Sequence, residues 1–131
     1  MAEDRRKTVL IIEKQPNYTQ LLVKQIMFAG LTPIVAVTGV GGLRKVEERR
    51  PDLILLEMEL SDMDGLEFVL TLRQKPEADR IPIVAMSTFP HMKAGALQGG
   101  CNDFLLKPVK MIDLMGHIRK FLRQELKAGS L

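Results

Sequence analysis

Leu53-Ile54-Leu55-Leu56-Glu57-Met58-Glu59-Leu60-Ser61-Asp62-Met63-Asp64-Gly65 is the stretch on which the reading of this chain turns. Four consecutive apolar residues, with no polar alternation, predict a strand buried on both faces. The run ends in a carboxylate, passes through a short acidic loop and reaches a glycine that opens a helix. In α/β proteins the carboxyl end of a buried parallel strand is where ligands and chemistry sit. Glu57 therefore stands where a reactive group would stand.

Working outward, residues 8–12 form a β-branched and apolar run, the first strand, with Glu13-Lys14-Gln15 at its carboxyl end. Pro16 suits the first turn of a helix. Leu21, Leu22, Ile26 and Phe28 then recur near helical spacing as far as Gly30. Residues 33–37 predict the second strand; Gly39, Gly41 and Gly42 punctuate the chain, and 43–50 predict a short helix ending before Pro51. After the opening stretch, Leu66, Phe68, Val69, Leu70 and Leu72 mark an apolar helix that runs out near Lys75-Pro76. Residues 81–86 predict the fourth strand, ending at Ser87-Thr88. A weak helix over 91–97 stops at Gly99-Gly100, and 102–106 predict the fifth strand, ending at Lys107-Pro108. The last helix carries Met111, Leu114, Met115, Ile118, Phe121 and Leu122 on one side, opposite Arg119, Lys120, Arg123 and Gln124. Five strands alternating with five helices predict an α/β protein, a parallel sheet covered on both faces. The 131 residues are expected to form one domain, with a core over about 7–126 and a frayed tail at 128–131.

The composition, 46% apolar and 27% charged, is that of a globular protein, and the net charge of +3 is mild. Arg5, Arg6, Lys7, Arg44, Arg50, Arg119, Lys120, Arg123 and Lys127 are spread along the chain among Glu47, Glu48 and Glu125. That pattern suits a solvated surface; a nucleic-acid footprint needs a basic stripe with interleaved aromatics. Tryptophan is absent and Tyr18 is the one tyrosine, so base-stacking platforms are not supported. One cysteine, Cys101, allows no internal disulfide. No apolar run is long enough to cross a membrane and the N-terminus carries no secretory pattern, so a cytoplasmic location is expected. A flavodoxin-like enzyme or nucleotide binder, the alternative from another class, needs a glycine-rich phosphate cradle after the first strand; Glu13-Lys14-Gln15-Pro16-Asn17 supplies none.

Taken in order, the acidic Glu13 after the first strand, Leu55-Leu56-Glu57 followed by Met63-Asp64-Gly65, Ser87 after the fourth strand and Lys107-Pro108 after the fifth resemble the receiver domain of two-component response regulators. The resemblance covers nearly the whole chain. It implies a three-layer, doubly wound, five-stranded parallel sheet of order 2-1-3-4-5, the flavodoxin-like receiver fold. It also implies phosphoryl transfer from a kinase histidine to an aspartate at the end of the third strand. That chemistry uses magnesium, held by the acceptor, an acidic pair after the first strand and a backbone carbonyl two residues past the acceptor. A hard cation wants such oxygen ligands, and phosphoryl transfer is mostly positioning and charge neutralisation.

Carried over residue by residue, Ser87 and Lys107 take the phosphoryl-contact positions and Glu13 the first acidic position. The second acidic position is Lys14 and the phosphoacceptor position is Glu57. Glu59 would lend its carbonyl if a metal bound. The extra methylene of Glu57 displaces its carboxylate by about 1.3 Å, and misplacing a reacting group by ~1 Å costs on the order of 100-fold in rate. Lys14 puts an ammonium where a metal ligand is expected, and the expectation is an ion pair between Lys14 and Glu57 that stands in for the cation. No cofactor is then expected. Phe104 matches the family's switch aromatic on the fifth strand, although ordinary core packing explains an aromatic there equally well.

The resulting expectation is a stand-alone, atypical receiver, a phosphorylation-independent protein-interaction module and not an enzyme. The alternative within the family is a receiver phosphorylated slowly by a histidine kinase. Expected partners are a histidine kinase, a phosphotransfer protein or a downstream effector, with a homodimer through the fourth helix, fifth strand and last helix, and with neither nucleic acid nor membrane. Asp64 is expected to cap the helix after the loop, and Asp62 has no assigned task. His91 and His117 lack ligand-spaced partners and read as surface residues. Cys101 reads as a packing or turn residue, and Met92, Met111 and Met115 as an adaptable contact surface.

Overall fold

Five short runs of aliphatic residues become five parallel strands, and the segments between them become helices. The computed structural model describes residues 6–123. The tail at 128–131, the domain limit near 126, and Arg5, Gln124, Glu125 and Lys127 lie outside the described residues. In chain order the elements are β1 (Thr8–Ile12), α1 (Pro16–Phe28), β2 (Thr32–Ala36), α2 (Gly39–Arg49) and β3 (Leu53–Glu57). They continue with α3 (Gly65–Arg73), β4 (Ile83–Ser87), α4 (Met92–Gly99), β5 (Asp103–Leu106) and α5 (Met111–Leu122). The strand order is β2-β1-β3-β4-β5, as the resemblance implies.

Alternation along each strand sends side chains to opposite faces, so one continuous apolar run feeds two cores. Leu10, Ile12, Ile54 and Leu56 meet Val46, Phe68, Val69, Leu72 and Ala96 from α2, α3 and α4. Val9, Ile11, Leu53 and Leu55 meet Leu22 and Ile26 of α1 and Leu114, Met115, Ile118 and Leu122 of α5. Each such aliphatic side chain, fully buried, stabilises the fold by about 1.5–3 kcal/mol before entropy is counted.

The expected boundaries need correction in places. α2 begins at Gly39, four residues before the expected start, so its glycines lie inside the helix. The Thr38 hydroxyl accepts from the Gly41 amide at 2.9 Å and supplies the cap. A Cβ on Gly42 would sit 2.5 Å from Ile12 Cδ1 and 3.1 Å from the Phe68 ring, so glycine is there for close approach and not as a breaker. β2 ends at Ala36 and β4 starts at Ile83, Ile81-Pro82 forming its lead-in. α3 stops at Arg73, whose guanidinium donates to the carbonyls of Asp79, Ile81 and Gly100 and to Asn102 Oδ1. Met115 is fully buried, so it belongs to the core and not to a contact surface, while Met92 and Met111 are half-buried.

Candidate functional site

The sheet register brings the predicted residues to one rim. Ile12 lies beside Leu56, Glu57 beside Met86 and Ser87 beside Leu106. Glu13, Glu57, Ser87 and Lys107 therefore emerge together at the carboxyl ends of four neighbouring strands, although up to 94 residues separate them in sequence. Glu13 and Ser87 are 0% exposed and Glu57 5%.

Lys107 is the centre of this group. Its ammonium donates to Oε1 of Glu13 and to Oε1 of Glu57, and its side chain is only 7% exposed. Each carboxylate uses its second oxygen on its own loop: Glu13 Oε2 accepts from the Gln15 amide and Glu57 Oε2 from the Glu59 amide, both at 3.1 Å. The two glutamates thus repeat one device, one oxygen on the shared cation and one on the amide two residues ahead. Burial by itself would depress the Lys107 pKa, but the hydrogen bonds and charges of Glu13 and Glu57 outweigh it and raise the ammonium above its ordinary range.

The expected Lys14–Glu57 pair does not form. Lys14 is exposed, and Lys107 occupies the place at Glu57 that was assigned to it. The reason is geometric: Glu13 turns inward at the end of β1, which sends its neighbour Lys14 out to solvent, whereas Lys107 leaves β5 on a stem long enough to reach both carboxylates. Ser87 is brought to the rim, but its hydroxyl oxygen accepts from the Phe89 amide at 3.0 Å and closes its own turn. Phe104 is buried against the α2–α3–α4 side of the sheet. Glu59 is exposed on the β3–α3 loop, where it bridges to Asp64.

Asp64 caps α3, its Oδ1 accepting from the Glu67 amide at 2.8 Å. Asp62 has a task the sequence did not suggest: its two oxygens accept from the Gly39 and Val40 amides, each at 2.9 Å, and tie the β3–α3 loop to the start of α2. Those amide bonds hold its pKa below the usual carboxylate value. His91 is exposed, as expected, but His117 is half-buried, with Nδ1 2.8 Å from Asp103 Oδ2. Cys101 is buried, as a packing residue should be.

Tyr18 was passed over as the chain's single tyrosine. Its hydroxyl accepts from the Val109 amide at 2.7 Å, and its ring centroid lies 4.3 Å from Lys107 Nζ. Its place in the first turn of a helix that starts at a strand's carboxyl end was the available signal.

A 2-1-3-4-5 parallel sheet with ionisable side chains gathered at its carboxyl rim defines a doubly wound, flavodoxin-like α/β protein. Within that class, residues 9–119 match the response regulator receiver domain, and the chain belongs to that family, the receivers of two-component phosphorelay signalling. It is 31% identical over 119 residues to the polar-differentiation response regulator DivK of Brucella anthropi, covering 88% of this chain and 96% of that protein. It is 31% identical over 125 residues to the transcriptional regulatory protein KdpE of Mycobacterium tuberculosis, covering 94% of this chain and 54% of that one. The chain thus spans about half the length of KdpE. A crystal structure of a two-component response regulator from Clostridium difficile superimposes with a TM-score of 0.82 at 27% identity, covering 91% of this chain and 98% of that one. No described helix is long and apolar enough to cross a membrane.

Proposed function

We propose that this chain is a receiver whose site is held in one charge state by its own lysine, and that it signals by protein contact without turnover of an acyl phosphate. The observation that carries this reading is the buried Glu13–Lys107–Glu57 cluster. Each carboxylate is already paired with the ammonium on one oxygen and hydrogen-bonded on the other, so an incoming phosphoryl group has to compete with Lys107 for Glu57. The side chain at the acceptor position is also a methylene longer than an aspartate.

The same geometry argues against a resident divalent cation. Magnesium demands near-octahedral oxygen coordination, yet the two carboxylates share an ammonium between them and the remaining acidic position is the exposed Lys14. The partners that suit this reading are a histidine kinase, a phosphotransfer protein or a downstream effector that recognises the receiver surface.

Incubation with acetyl phosphate and magnesium, followed by intact mass, tests the proposal. Unchanged mass is the expected outcome. A stoichiometric gain of one phosphoryl group that disappears in Glu57→Gln would overturn it.

A further inference from the structure

We propose that Tyr18 is a positioning residue for the Lys107 ammonium, its ring closing the side of the ion cluster that the two glutamates leave open and its hydroxyl fixing the backbone on which Lys107 is carried. This rests on the reading of the Glu13–Lys107–Glu57 cluster as the standing state of the site.

A lysine ammonium has three donors. Glu13 and Glu57 take two of them, and the face of the Tyr18 ring lies 4.3 Å from the same nitrogen. That separation is well inside the range in which a ring quadrupole attracts a cation, and the attraction is greatest where water is excluded, as it is around this largely buried side chain. The hydroxyl at the other end of the ring accepts from the Val109 amide, two residues beyond Lys107. One side chain on α1 therefore holds both ends of the problem, the charged tip and the main chain that carries it. A lysine on a flexible four-carbon stem otherwise spends rotamer freedom to stay in one place. With both constraints supplied by Tyr18, the ammonium stays between the carboxylates.

The test is the pH dependence of acylation of individual lysines by trace acetic anhydride, read by peptide mass spectrometry in the wild-type chain, Tyr18→Phe and Tyr18→Leu. In the wild type, Lys107 is expected to react far more slowly than the exposed Lys14. Tyr18→Leu should raise Lys107 acylation about tenfold, the change expected from loss of a desolvated cation–π contact, with Lys14 unaffected. Tyr18→Phe keeps the ring but loses the bond from the Val109 amide, so its Lys107 acylation should fall between wild type and Tyr18→Leu, and protection equal to wild type overturns the part assigned to the hydroxyl. Equal Lys107 protection in Tyr18→Leu and wild type overturns the role of Tyr18 and leaves the cluster standing. Wild-type Lys107 acylated as fast as Lys14 overturns the cluster itself. A second measurement needs no change at Tyr18: with one tyrosine and no tryptophan, the near-ultraviolet signal of a tyrosine side chain comes from this ring alone. Lys107→Met should shift that signal, and an identical spectrum refutes the contact.

Discussion

At the scale of single residues, the charge balance around Lys107 sets what the site can do. Two buried carboxylates face one ammonium, so removing that ammonium strands two like charges in a nearly dry rim. Breaking a buried pair by deleting one partner costs about 3–5 kcal/mol, mostly as the penalty of the uncompensated charge left behind. Lys107→Met is expected to lose stability of that order near neutral pH, measured by denaturant unfolding. The pH dependence has a definite sign. The folded-state pKa of Lys107 is raised above 10.5, so its contribution is fully present below that value and is lost as pH climbs through the higher folded value. The stability gap between wild type and Lys107→Met should hold from neutral pH to about 10 and shrink only above it. A variant as stable as the wild type near neutral pH contradicts the cluster.

At the scale of elements, the glycines separate into two kinds that sequence alone does not distinguish. Gly65 opens α3 directly against β3's following turn: an added Cβ would lie 2.8 Å from Met58 Cα, which is backbone and does not rotate away. Gly116 sits mid-way along α5 with nothing within 4 Å of an added Cβ. Gly65→Ala should therefore destabilise by about 1–3 kcal/mol through overpacking, whereas Gly116→Ala should stabilise by roughly 0.5–1 kcal/mol through helix propensity. Thermal unfolding of the two variants reads both signs, and a stabilised Gly65→Ala would refute the packing argument. The same distinction explains what was legible beforehand. The inner strands could be read because a strand buried on both faces is an unbroken apolar run, as residues 53–56 are, whereas the edge strands β2 and β5, only partly buried, were legible from shorter apolar runs. The start of α2 was not legible, because Gly39, Gly41 and Gly42 have poor helix propensity and the reasons for them, Met63 over Gly39 and Ile12 and Phe68 against Gly42, come from distant parts of the chain. Glu13, Glu57, Ser87 and Lys107 were legible as a group because each stands at or just past the carboxyl end of a strand, in the order and spacing that resemble a receiver. Which lysine meets Glu57 was not, since that depends on the inward turn of Glu13 and on the reach of a side chain two strands away.

At the scale of the whole molecule, the sheet has two differently fastened ends. The carboxyl rim is closed by the ion cluster. The opposite rim is held by Arg73, whose guanidinium joins the end of α3 to the approach to β4 and to the α4–β5 turn through Asp79, Ile81, Gly100 and Asn102. Asn102 Oδ1 also accepts from the Ile83 amide at 2.9 Å, so the fastening continues into the first residue of β4. Cys101 is buried at this corner, and burial pushes its thiol up to about 11 against the pull of the Arg73 charge. A protonated, enclosed thiol is a poor nucleophile; as the chain's one cysteine, it reports opening at a single place. Five-residue strands separate the rims by roughly 15 Å, beyond the ~7–10 Å within which substitutions usually couple. Arg73→Met should free the α4–β5 turn and raise native-state labelling of Cys101 by a thiol reagent at least about tenfold, the equivalent of losing one or two hydrogen bonds made by a charged group. Lys107 acylation in the same variant should stay at its wild-type rate. If loosening the Arg73 corner also exposes Lys107, the two rims open together and the sheet behaves as one cooperative unit, and the picture of a site fastened independently by its own ion cluster fails.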